Sequence, residues 1–134
     1  MKIDSYMHLF TKNIVELGKF YRKIGLKVKE DYSNEHLLCV ELNKHSNLMV
    51  LEKSRFQSFH PTLKLAQNDV HSHFISLQLK SIEHVDQFMK KVVKNGGVET
   101  EKATEDEWVY YRSFKDIDQH QFEVFYMKPQ PQKS

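Results

Sequence analysis

The chain has 134 residues, of which 40% are hydrophobic and 28% charged, room for one domain with a sizeable core. Its 20 basic and 18 acidic side chains leave a net charge of +2 with no compact Lys/Arg cluster, which argues against nucleic acid as a partner. Cys39 is the single cysteine, so an intrachain disulfide and a CxxC metal or redox motif are excluded, and with neither a signal-peptide-like run in MKIDSYMHLF nor a membrane-length apolar segment a cytoplasmic location and no membrane partner are expected.

The first element is a strand over IDSYMHLFT. Asn13 followed by Glu16 forms a capping box, which starts a helix at Ile14. Ile14, Leu17, Phe20, Tyr21 and Ile24 fall at helical spacing, and Gly25 is a suitable stop. LKVKEDY, HLLCVEL and NLMVLEK read as three strands. Cys39, inside the second of them, reads as a small buried hydrophobe. The same order returns after residue 70. HFISLQL alternates as a strand, and SIEHVDQFMKKVVKNGG is a helix capped by Ser81 with an apolar stripe of Ile82, Val85, Phe88, Met89 and Val92. VETEKAT, WVYYRSF and QFEVFYM complete the second set.

The chain is therefore a tandem βαβββ repeat. Repeat one covers about 1–53, a connecting loop about 54–70, repeat two about 71–128, and a polar tail 129–134 is expected to fray. The fold class is α+β. Each unit presents one sheet face to its helix, and the other faces are free to line a curved mixed-sheet cavity.

The capped helix running into FYRKIGLKV, the second helix ending in NGG, and the closing RSFKDIDQHQFEV resemble the vicinal oxygen chelate superfamily over about residues 1–128. That superfamily includes glyoxalases, bleomycin-resistance proteins, fosfomycin-modifying enzymes and extradiol dioxygenases. LMVLEKSRFQSFHP and RSFKDIDQH are similar to a bacterial glyoxalase-like subgroup predicted as lactoylglutathione lyases. The usual Asp-Pro-Asp-Gly turn reads Asp116-Ile117-Asp118-Gln119 here, placing a non-glycine where positive φ is expected, at a cost of about 1 kcal/mol. The resemblance also implies a divalent metal held at four positions, which match Tyr6, Met49, Phe74 and Glu123. Only Glu123 is a usual ligand, whereas such sites need three or more protein donors. No cofactor is expected on this count. If a metal is held, His8, His73 and Glu123 are the chemically sensible set, with His73 one place out of register.

Glu123 poses the sharpest question. In QFEVFYM it shares a face with Phe125 and Met127, and the opposite face is apolar, so the carboxylate needs a partner. A hairpin across KDIDQH, counted with Phe114 opposite Gln121, sets Arg112 against Glu123, and a slip of one residue reverses the faces. On that count Trp108, Tyr110, Phe125 and Met127 surround an ion pair at the floor of an aromatic cavity. Ligand-contacting residues are then Tyr6, His8, Phe74, Trp108, Tyr110, Arg112 and Phe125, with Glu123 as the catalytic candidate. An ion pair that only locks the hairpin is the structural alternative. His36, His45, His60, His71 and His84 read as solvated, and His120 as a hydrogen-bonder in the turn.

Three functions remain open on these residues. The leading one is a small-molecule-binding protein without the metal site. The second is a metal-dependent lyase or isomerase of glyoxalase type using Glu123. The third is an interaction protein whose sheet serves dimerisation, and the resemblance itself implies a homodimer.

Overall fold

The computed structural model describes residues 2–66, 71 and 74–130. The chain divides into two compact units, Met1–Gln67 and Asn68–Ser134. The first contains β1 (Ser5–Thr11), α1 (Ile14–Lys23), β2 (Lys27–Val28), a 3-10 turn (Glu30–Tyr32), β3 (Leu37–Asn43), β4 (Ser46–Glu52) and α2 (Lys53–Phe59). The second contains β5 (Ile75–Gln78), α3 (Ile82–Lys94), β6 (Val98–Glu99), β7 (Thr104–Glu105), β8 (Val109–Lys115) and β9 (Gln121–Met127). The fold is α+β with two mixed sheets, ordered β1-β4-β3-β2 and β5-β9-β8-β6, with β7 also on β8. In each sheet the first strand runs parallel to the last, β1 with β4 and β5 with β9, and the remaining pairs are antiparallel.

Local chemistry sets the helix limits. Asn13 Oδ1 accepts the Glu16 N–H at 3.1 Å, and Ser81 Oγ accepts the His84 N–H at 3.0 Å, so each helix begins with a side chain on an otherwise unpaired amide. Past the helix ends, Gly25 and Gly96 adopt φ of 99° and 102°, open to glycine without strain. The stripes then bury. Ile14, Leu17, Phe20 and Tyr21 of α1 are in the core with Leu9, Leu38, Val40, Leu48 and Val50. Val85, Met89 and Val92 of α3 are buried in the second unit with Ile75, Phe114, Phe122 and Val124. Phe114 stacks on Phe122 at 5.0 Å between ring centroids, and Phe88 reaches Phe114 from α3 at 6.0 Å. Each such side chain contributes about 1.5–3 kcal/mol by leaving water.

Three elements differ from the sequence expectation. LKVKEDY supplies only the two strand residues of β2; its remainder turns, with the Lys29 N–H still bonded to Cys39 O at 2.8 Å. VETEKAT divides into β6 and β7, which gives the second sheet five strands. The stretch read as a connecting loop opens with α2, held to β1 by Phe56, whose ring lies 4.5 Å from that of Phe10 and 6.1 Å from that of His8. One aromatic anchor on a seven-residue helix leaves no repeating stripe in the sequence, so periodicity does not reveal it. Residues 67–70 of that loop and 131–134 of the tail lie outside the described residues.

Candidate functional site

The last hairpin decides the site. β8 and β9 pair with Lys115 opposite Gln121, Ser113 opposite Glu123 and Arg112 opposite Val124. The expected Arg112–Glu123 pairing is therefore wrong by one residue, because the turn has five residues, Asp116 to His120, rather than six. Its clasp is Asp116: the backbone N–H donates to His120 O at 3.1 Å, while the wholly buried carboxylate accepts the Asp118 and His120 N–H groups at 2.9 Å each. His120 Nδ1 lies 2.7 Å from Asp116 Oδ2, the turn role expected of it. Gln119 sits at φ 70°, the positive value anticipated at the family's glycine position.

An odd loop flips the faces. Arg112 and Tyr110, expected in the cavity, lie on the α3 side of the sheet instead. Arg112 grips Glu99 with two bonds, Nε to Oε2 at 2.7 Å and Nη2 to Oε1 at 2.9 Å, and donates from Nη1 to Asp86 Oδ1 at 3.1 Å. Tyr110 donates its hydroxyl to the same Asp86 oxygen at 2.6 Å. The Arg112 hydrogen bonds hold the Glu99 carboxyl below its ordinary range, and the Glu99 partner raises the guanidinium further. Burial, then the bond to Asp86, pushes the Tyr110 phenol up. This is an ionic latch between α3, β6 and β8, remote from Glu123.

Glu123 stands on the other, open face. Its neighbours in the ladder are Ser76 of β5 and Ser113 of β8. Ser76 Oγ donates to Glu123 Oε1 at 2.8 Å, and among the described residues no cationic side chain pairs with it. Beside it Gln121 Nε2 donates to Thr100 Oγ1 at 3.1 Å, and Thr100 donates to Ser113 Oγ at 3.1 Å, so the flanking polar groups satisfy one another. From Glu123 a cavity of about 500 Å³ opens, walled by Trp108, Val109, Tyr111, Phe125 and Met127 with Gln130 beside them. That volume suits a small organic ligand. Trp108 precedes β8 and so escapes its alternation; Asp106 Oδ1 holds the Trp108 and Val109 N–H groups at 2.7 and 2.9 Å. Tyr111 and Ser76 were absent from the sequence expectation. A five-residue turn, had it been counted, would have brought Tyr111 in with Glu123.

The other expected residues fall in both units. Phe74, just before β5, is exposed. Tyr6 and His8 are exposed on one face of β1, where the ladder sets His8 beside Met49 and Tyr6 beside Asn47. His73 lies outside the described residues. Cys39 is buried and free, as expected. The donors at the four positions of the resembled metal site are thus a phenol, a thioether, a phenyl ring and the Glu123 carboxylate, a set that does not suit a divalent cation. Among the described residues no group of three or more His, Cys, Asp or Glu side chains could hold a metal ion. Nor is any of their helices long and apolar enough to cross a membrane.

No family model and no curated protein sequence matches the chain. Solved structures do. A hypothetical protein from S. aureus aligns with a TM-score of 0.81 at 22% identity, over 94% of this chain and 95% of that one. A glyoxalase/bleomycin resistance protein/dioxygenase family enzyme from Burkholderia phytofirmans PsJN aligns at 0.78 and 15% identity, over 92% and 98%. A fosfomycin resistance protein from Mesorhizobium loti aligns at 0.67 and 13% identity, over 94% and 92%. The chain has the glyoxalase/bleomycin resistance/dioxygenase fold.

Proposed function

We propose that this protein binds a small molecule over the open face of its second sheet, with Glu123 as the polar anchor and without the metal of the enzymes it resembles. The observation that carries this reading is the cavity itself: an aromatic and thioether wall with one carboxylate, which shares a hydrogen bond with Ser76 and has no cationic partner among the described residues. A carboxylate so placed is costly to cover unless the occupant supplies a donor or a charge. Thermal-shift screening of purified protein against metabolites, with and without divalent metals, tests it. Metal-independent stabilisation by at least one organic compound, reduced in Glu123→Gln, is the expected outcome. The second reading, a metal-dependent lyase or isomerase of lactoylglutathione lyase type, would use the same carboxylate. One tightly held divalent ion per chain in elemental analysis, lost in Glu123→Gln, would replace the first reading with that one.

A further inference from the structure

Resting on the reading above, we infer that the ligand of this cavity is an organic cation, an ammonium-type nitrogen carried on an aromatic or branched apolar body. Three independent features of the site point the same way. Glu123 is the one charged residue in the lining, and Ser76 satisfies only its Oε1; Oε2 receives no donor among the described residues. An anion, or a neutral molecule without a donor, would strip that group of water without return; a neutral donor returns one hydrogen bond, whereas a cation brings both charge and N–H or polarised C–H groups.

The walls answer the same charge. Trp108, Tyr111 and Phe125 present three π-systems in one lining, and the negative ring face attracts a cation, most strongly for indole. Met127 adds a polarisable thioether. A small hard metal ion has no use for such walls, while an alkylated or aryl-bearing ammonium contacts them and the carboxylate together.

The segment that leads into Trp108 is acidic as well. Glu105, Asp106 and Glu107 immediately precede Trp108. Asp106 accepts the Trp108 and Val109 amides, which keeps its carboxyl below the ordinary range and fixes the indole at the cavity wall. Lys128 is tied to Glu105 at 2.7 Å and so cannot neutralise the group as a whole. Negative charge carried on the segment that leads into Trp108 favours ligands of the other sign.

Trp108 is the sole tryptophan of the chain, so its fluorescence reports this cavity directly. Titration with phenethylammonium, 2-phenylethanol and phenylacetate varies the charge on one body. The expected order is cation, then alcohol, then anion, with the cation at least about tenfold tighter than the alcohol. Glu123→Gln should weaken the cation by about tenfold and leave the alcohol unchanged, and raising the salt should weaken the cation alone. Equal binding of alcohol or phenylacetate by the unmodified protein, or a Glu123→Gln protein that holds the cation as before, would overturn the assignment of a cation while leaving the cavity as a binding site. Failure of all three compounds, and of benzyltrimethylammonium, to change the fluorescence would remove the binding reading and this inference together.

Discussion

The two units use the same scaffold to do different chemistry. The helices α1 and α3 begin on capping side chains, Asn13 and Ser81, and each stops before a glycine of positive φ. Aligned on those markers, Gly18 and Val28 of the first unit correspond to Asp86 and Glu99 of the second, and the ladders, with Val28 opposite Val40 and Glu99 opposite Phe114, add Leu38 and Arg112. In the first unit no ion pair joins these three positions: a Cβ on Gly18 would lie 3.0 Å from Arg22 Nη1 and 3.4 Å from Leu38 Cδ1, and Leu38 is buried. In the second they form the ionic latch. The open faces diverge too. The row Cys39–Met49–His8 of the first sheet becomes Ser113–Glu123–Ser76 in the second. The fold therefore asks only for stripes, caps and stops, and leaves both faces free to vary.

The widest contrast should come from truncating the same position in both units. Leu38→Ala leaves a void at a buried side chain and should cost about 3 kcal/mol in urea denaturation. Arg112→Met strands two half-exposed carboxylates and should cost about 2 kcal/mol, less than a fully buried pair because water reaches Asp86 and Glu99. Installing the first unit's solution, Arg112→Leu with Glu99→Val, should return most of that loss. If the two changes are simply additive, the latch does not act as a unit and the comparison fails.

Acid should separate the two units further. Glu99 has a lowered folded-state pKa, so its contribution is present above the ordinary value of 4.5 and is lost as pH falls through the folded value. The stability gap between the unmodified protein and Arg112→Met should therefore shrink as pH falls below the ordinary value of 4.5, while the Leu38→Ala deficit should not track this titration. An Arg112→Met gap that is constant across that range would mean Glu99 is not held by the arginine.

The turns give the smallest expected effect. Gln119 is the one non-glycine with positive φ among the described residues, and it belongs to the hairpin of the second unit. Gln119→Gly should raise stability by about 0.5–1 kcal/mol, measured as a shift in urea midpoint at constant slope. A loss instead would show that the Gln119 side chain, rather than its backbone, matters in that turn.

The repeat, its helices, their caps and stops and the apolar cores were all legible in the sequence, because stripes, capping side chains and glycines act over a few residues and leave a local pattern. Even the strained turn position could be read, since handedness constrains a single residue. Which face of β8 meets Glu123 could not. Alternation puts Arg112 and Ser113 on opposite faces, but the parity of the intervening turn decides which one lies beside the carboxylate. That parity rests on the buried Asp116 carboxylate gathering the Asp118 and His120 amides. The partners of Arg112 come from α3 and β6, and the cover on the first open face comes from a helix anchored by Phe56. Such contacts join residues distant in the chain, so only the tertiary structure could decide them: period two tells which residues agree with one another, and packing tells which side they share.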